Sequence, residues 1–306
     1  MFCAVPFFPR LGRVTNRAAV ALCCGAITVG AAAACGDGSK AVLNQQAEAH
    51  RLASHLHVQF SRASDASNRA VMADTDDASV AAAREAEQAR QAVEQDVEAL
   101  RRILEDLGYR DEVQQLDEFK VRFAQYRALD DDILPLAVEN TNIKAQRLSF
   151  GPAQDAVNAF RQSIEAAGRL AAAKNAVAVE ALVAKATAAV LEVQVIQARH
   201  IAESDEAAMS RMEAAMLKSE AAARNALDGV KGLLPPAAGA QLTTAASALD
   251  RFTAANTEIV KLSRRNSNVR SLALSLGKKR TVTAECDDLL QALEDALATH
   301  HFAATR

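Results

Sequence analysis

NTNIKAQRLSFG, residues 140–151, is written a second time as NSNVRSLALSLG, residues 266–277. Five of the twelve positions are identical, and five more exchange within a type: Thr/Ser, Ile/Val, Lys/Arg, Ala/Ser and Phe/Leu. The pair is not isolated. MADTDDAS (72–79) matches IAESDEAA (201–208) at an offset of 129, the Asn-rich stretches lie 126 apart, and LDEF (116–119) meets LDRF (249–252) at 133. These offsets describe a tandem duplication of one helical unit. The fall of seven between the last two predicts seven extra residues in the third helix of the first unit. Seven residues are two turns, so such an insertion keeps the buried face in phase.

Composition agrees with helices. Half the residues are apolar, aromatics are 4%, tryptophan is absent, and glycine (12) and proline (6) are scarce among 306 residues. That profile fits long helices with closely spaced, alanine-lined cores, and excludes a sheet protein or an α/β enzyme. Apolar positions step by three and four through Ala82, Ala86, Ala89, Val93, Val97, Leu100, Leu104 and Leu107, which is one buried helical stripe. Breaks are few: Gly108, Gly151-Pro152, Gly277 and the Pro235–Gly239 loop end helices, while Thr75-Asp76-Asp77 and Ser204-Asp205-Glu206 begin them with acidic first turns. The expected helices run over 40–73, 76–107, 110–150, 152–203, 206–233, 241–276 and 279–302, with Pro135 kinking the third. Two helices will not fit between Pro152 and Glu203, so that stretch reads as one rod of about 75 Å. The expected fold is all-α: tandem antiparallel four-helix-bundle-like units over 41–170 and 171–303, sharing or joined by a long central helix.

The N-terminus reads differently. Residues 1–34 carry Arg10, Arg13 and Arg17, no acid, and the apolar run AAVALCCGAITVGAAAA (18–34). A basic segment, an apolar segment and small residues describe a secretory leader. Cys35 follows four alanines, as the acylated cysteine of a bacterial lipobox does, although Ala32 stands where that motif prefers Leu. Lipidation at Cys35, an uncleaved anchor and plain secretion all place residues 41–303 outside the cytoplasm, after a linker at 35–40; a lipoprotein facing the periplasm is the reading carried forward. Loss of the leader removes three positive charges and takes the net charge from −3 to −6. An acidic body does not suit nucleic acid. Beyond the leader only Cys35 and Cys286 remain, so no disulfide framework is expected. The most apolar later segment, 175–197, is interrupted by Glu180, Lys185 and Glu192 and is not a membrane span.

The capped helices, the N-x-N…LSxG end of the third helix and the RTVTAECDDLLQALEDAL fourth helix (280–297) resemble the four-helix-bundle sensor domain of methyl-accepting chemotaxis receptors. Doubled, they resemble its helical bimodular variant. The resemblance covers about 40–303. It implies an extracytoplasmic bundle that binds a small-molecule ligand, forms homodimers and passes a helix displacement through the membrane. Such receptors continue into a second membrane helix and a cytoplasmic hairpin, whereas this sequence stops at HHFAATR (300–306). A separate membrane transducer is therefore the expected partner, beside the membrane itself through the N-terminus. The rival reading is a structural lipoprotein whose seams dock other helical proteins.

Candidate site residues follow from the repeat. Asn140, Asn142, Asn266 and Asn268 are costly inside helices, and residues two apart do not share a face, so at most one of each pair is expected inside. Two roles compete: a buried amide that fixes register, or a ligand site in which the amides join Arg147 and Ser149 on a small carboxylate. Ala273 stands opposite Arg147 in the repeat, so such an anion site would belong to the first unit. His50, His57, His300 and His301 lack metal spacing and read as solvated, as does the acidic run Asp130-Asp131-Asp132 with Glu139. No CxxC, HExxH, GxSxG, GxGxxG or P-loop occurs. No cofactor, metal or enzymatic activity is expected, and Cys286 reads as an inert core thiol.

Overall fold

The computed structural model describes residues 34–304 and is helical throughout, with no strand among them. Residues 1–33, which hold most of the expected leader, lie outside the described residues. The chain divides into two compact units, Met1–Leu43 and Asn44–Arg306. The described part of the first is helical from Ala34, so residues 35–40 continue a helix where a linker was expected, and Cys35 lies within it. The second unit is the subject below.

Among the described residues ten α-helices follow one another: α1 (Ala34–Met72), α2 (Asp76–Leu107), α3 (Arg110–Glu139), α4 (Thr141–Leu148), α5 (Gln154–Gly168), α6 (Ala176–Ala202), α7 (Glu206–Leu233), α8 (Gly239–Arg265), α9 (Ser267–Leu274) and α10 (Arg280–Ala304). Wider π-type turns, Ser149–Ala153 and Ser275–Lys279, join α4 to α5 and α9 to α10. Thr75 caps α2 by accepting from the Ala78 N–H, and Asp205 caps α7 by accepting from Ala208. Gly108 ends α2 in the left-handed region at φ 74°, which a glycine enters without a Cβ penalty.

The long central helix over 152–203 is not formed. α5 stops at Gly168, and a turn with a short 3₁₀ segment leads to α6 at Ala176. The length shortfall that suggested it arose from a misplaced break. The third helix ends at Glu139, not 150, because Asn140 takes a left-handed conformation (φ 49°), and Asn266 does the same at 54°. The fourth helix of the first repeat therefore begins at Thr141 and is long enough to be followed by a separate α6. Gly168 serves by close approach: a Cβ there would lie 3.2 Å from Val183 Cγ2 on α6. The helix runs through Pro135 to Glu139 without a break.

Nor is there a heptad insertion. α3 has 30 residues and α8 has 27. Buried positions counted from the Asn-rich stretches pair at a constant 126, as in Asp130/Asn256, Tyr126/Phe252 and Phe123/Leu249. The LDEF/LDRF match had slipped by one heptad, which a period of seven makes invisible to sequence alone.

Packing places the helices in two bundles. One core gathers Phe60 from α1, Leu100 from α2, Phe119, Phe123 and Tyr126 from α3, and Cys286, Leu290, Leu293 and Leu297 from α10. The other gathers Val157, Phe160 and Ile164 from α5 with Val190 from α6, Val230 from α7 and Phe252 from α8. Each bundle thus takes its fourth helix from the other repeat. The expected boundary near 170 falls in the α5–α6 turn, yet the bundles do not coincide with the sequence halves. No described helix is long and apolar enough to cross a membrane.

This exchange is measurable. Leu293→Ala, at a site 1% exposed on α10, should cost about 2–5 kcal/mol and weaken amide-exchange protection first in α1–α3. Phe160→Ala on α5 should weaken α6–α8 first. The opposite assignment would mean that each fourth helix stays with its own repeat.

Candidate functional site

The repeated stretches meet each other. Thr141 N–H donates to Ser267 Oγ at 3.1 Å and Ser267 N–H donates to Thr141 Oγ1 at 3.0 Å. Asn142 N–H donates to Asn268 Oδ1 at 3.1 Å, and Asn268 N–H donates to Asn142 Oδ1 at 3.1 Å. Residues 126 apart therefore exchange bonds about a local pseudo-two-fold axis. The donors are the first two N–H groups of α4 and α9, which have no partner inside their own helices. Each helix caps the other.

The remaining amide atoms close the junction. Asn142 Nδ2 donates to Asn266 Oδ1 and to the Ile201 carbonyl, both at 2.7 Å. Asn268 Nδ2 donates to Asn140 Oδ1 at 3.0 Å. Asn140 Nδ2 donates to Ser79 Oγ at 2.8 Å and Asp76 Oδ1 at 3.1 Å, and Asn266 Nδ2 donates to the Glu203 carbonyl at 2.7 Å. Outside this core, Arg265 grips Glu139 with two nitrogens, across another pair 126 apart, and its guanidinium holds the Glu139 carboxyl below its ordinary range. The α1–α2 and α6–α7 turns are thereby tied to the junction, where the two bundles join.

Asn140, Asn142 and Asn266 are all buried. The expectation that at most one amide of each pair faces inward fails for Asn140 and Asn142, because the pair straddles a chain break instead of sitting in a continuous helix; of the second pair Asn266 is buried and Asn268 half-buried. Arg147 and Ser149 are not brought together on a shared centre: Arg147 donates to the Asp74 carbonyl at 2.6 Å, and Ser149 donates to Gln197 Oε1 at 3.0 Å.

One layer beyond the junction the bundles diverge. In the first, Lys279 and Asp130 are 1% and 0% exposed. Lys279 Nζ stands 2.7 Å from Asp130 Oδ1, donates to Ser67 Oγ, and lies 5.1 Å from the Tyr126 ring centroid. Arg90 reaches within 4.0 Å of the other Asp130 oxygen and is bound to Asp131 and Glu87. Burial pushes the Lys279 ammonium below its usual range, with Asp130 opposing it. With the ends of α1 and α6 and the N-caps Thr75 and Asp205 aligned, 130 residues apart, and the Asn-rich stretches aligned at 126, the equivalent positions in the second bundle are Gln197, Glu220, Asn256 and Ala153. Gln197 Nε2 donates to Asn256 Oδ1 and Asn256 Nδ2 donates to Glu220 Oε1, at 2.8 and 2.7 Å, and burial raises the Glu220 carboxyl. A further layer holds His200, fully buried, between Ser263 at 2.6 Å and Glu213 at 2.9 Å; Arg264 holds the Glu213 carboxyl down.

These correct two expectations. Asp130 is buried rather than solvated, because it continues the core stripe Leu116, Phe119, Phe123, Tyr126, Ile133, Ala137. His57 is paired with Glu294 at 3.3 Å and His300 with Glu112 at 2.7 Å; the His301 side chain lies outside the described residues. Cys286 is buried, with its thiol pushed up to about 12, as an inert core position requires.

Beside the first layer, α1 and the α9–α10 turn enclose a cleft of about 460 Å³, lined by Asn68, Met72, Leu272, Ser275, Lys279 and Arg280 among others. Gly277 bends its wall out of helical geometry (φ −87°, ψ −120°). Among the described residues no group of three or more His, Cys, Asp or Glu side chains could hold a metal ion. No protein-family model matches the chain, and no curated protein matches it significantly.

The junction makes a sharp prediction. Asn266→Ala removes two buried amide bonds and puts a Cβ-bearing residue without Asn's local bonding at φ 54°; the cost should be about 2–4 kcal/mol. Asn266→Gly loses the same bonds without the left-handed penalty and should be milder by about 1 kcal/mol. Equal losses in denaturant melts would contradict this role for the backbone.

Proposed function

We propose that this chain is a non-enzymatic, sensor-like protein of the cell envelope that takes a small ligand in the cleft between α1 and α9–α10. The observation that carries the reading is an asymmetry inside a duplication. The two repeats share their junction, but Lys279 and Arg280 line the cleft where the other repeat has Ala153 and Gln154. Two copies kept alike where they hold the fold, and unlike where a cleft opens, divide into a frame and a site. A volume of 460 Å³ lies within the range of small-molecule pockets. The resemblance to doubled chemoreceptor sensor domains supports the same reading and adds a separate membrane transducer as partner. Attachment through an acylated Cys35 would hold the bundles outside the cytoplasm.

The structural-lipoprotein reading rests on exposed apolar side chains such as Val58, Val121 and Val195, which are 60–65% exposed and could meet other helices. A melting screen separates the two. Saturation of a sensor at 100 times the dissociation constant adds about 2.7 kcal/mol to its stability, so at least one small molecule should raise Tm in proportion to the logarithm of its concentration. Stabilisation by a protein partner alone would favour the docking role. Cys35→Ser should release the protein from membranes and abolish fatty-acid labelling; unchanged labelling would place the lipid elsewhere.

A further inference from the structure

The cleft also specifies what it takes, on the premise that it is a binding site. Its rim is apolar and open to water: Met72 is 72% exposed, Leu276 64% and Leu272 37%, and all three line this one cleft. Exposed apolar side chains scattered singly need no explanation, but three converging on one cavity do. Its polar wall carries two donors, the Asn68 amide and the Arg280 guanidinium. The Ser275 hydroxyl donates to Asn68 Oδ1 at 3.2 Å, which occupies the amide oxygen and leaves the Asn68 NH₂ group as what that side chain offers a ligand. Arg280 is exposed on the same wall. Asp287 is the one acid among the lining residues, and its carboxylate has the His57 ring beside it, Nε2 standing 3.7 Å away. Lys279, beneath the wall, is held by Asp130 and Ser67 and adds no negative charge to the cleft.

An apolar shelf facing a wall whose exposed cation is Arg280, with the amide of Asn68 on the same wall, fits one ligand class. We propose that the cleft binds an amphiphilic organic anion, with its carboxylate-type head on Arg280 and Asn68 and its aliphatic body on Met72, Leu272 and Leu276. A guanidinium with an amide donor beside it suits the two oxygens of a carboxylate, and the exposed side chains gain burial when a short alkyl chain covers them. The other repeat has Gln154 in place of Arg280, Gln146 in place of Leu272 and, with the ends of α1 and α6 aligned, Ala202 in place of Met72, while Phe150 stands opposite Leu276; what the second bundle lacks is the cationic head contact.

The test uses the whole chain and four probes measured by calorimetry and melting: hexanoate, hexan-1-ol, hexylammonium and acetate, all well below the concentrations at which they aggregate. Hexanoate should bind saturably and raise Tm, while acetate, lacking the body, and hexylammonium, carrying the wrong charge, should do neither. Arg280→Gln, an exposed change that spares the core, should weaken hexanoate at least tenfold. Leu276→Asn should weaken it also, and Arg84→Gln, on α2 outside this cleft, should leave it unchanged. Hexanol or hexylammonium binding as tightly as hexanoate, with sensitivity to Leu276→Asn, would overturn the anion assignment while leaving a binding cleft. No response to any probe, together with no ligand from the wider screen, would overturn the cleft as a site altogether. Hexanoate binding indifferent to Arg280→Gln would overturn the proposed head group.

Discussion

The first two backbone N–H groups of α4 and of α9 find their acceptors on the other repeat: Thr141 on Ser267, Asn142 on Asn268, and each in return. Unpaired, four buried donors would cost about 1–3 kcal/mol apiece, so neither helix can start there unless the other is present. That mutual need fixes the rest. A chain break is required to expose the donors, and Asn140 and Asn266 supply it by entering left-handed geometry, which asparagine tolerates better than most residues. Two chain crossings at one point then send α5 into the second bundle and α10 back into the first.

The exchange explains why the repeat is strongest where it is. A junction built about a pseudo-two-fold axis needs nearly the same residues twice, because each stretch is both donor and acceptor for its copy. Away from the axis the copies face different neighbours and have diverged, from Lys279–Asp130 in one bundle to Gln197–Asn256–Glu220 in the other. A buried charge pair gives little net stability, but removing one member leaves a buried charge uncompensated. The Lys279–Asp130 layer lies beside the cleft, and the Gln197–Asn256–Glu220 layer lies in the other bundle.

Much of the fold was legible from pattern. Stripes at three and four, the Gly108 cap and the acidic first turns located α2 and α7 closely, because those signals are local. The α3–α4 break has one local sign, Asn140, a residue that enters left-handed geometry more readily than most; the acceptors that hold the break open lie 126 residues away. Omitting this break produced the mistaken central helix, and heptad periodicity disguised a slipped alignment as an insertion. The buried charges leave a readable trace in the sequence. Asp130 sits on the stripe of Phe119, Phe123, Tyr126 and Ile133, and Lys279 falls one heptad before Cys286, so both occupy core positions by period alone. The cleft had no such trace, because it depends on which repeat supplies α10.

The most direct test is a double-mutant cycle at the axis. Thr141→Val and Ser267→Ala each remove a hydroxyl from a pair 3.1 Å apart across the repeats, and stability is measured for both singles and the double. Residues that touch couple by about 0.5–3 kcal/mol, whereas distant ones add to within about 0.5 kcal/mol. The account predicts clear coupling, the second change costing less once the first is made. Strict additivity would mean that the two stretches never meet, and the exchanged bundles would fall with them.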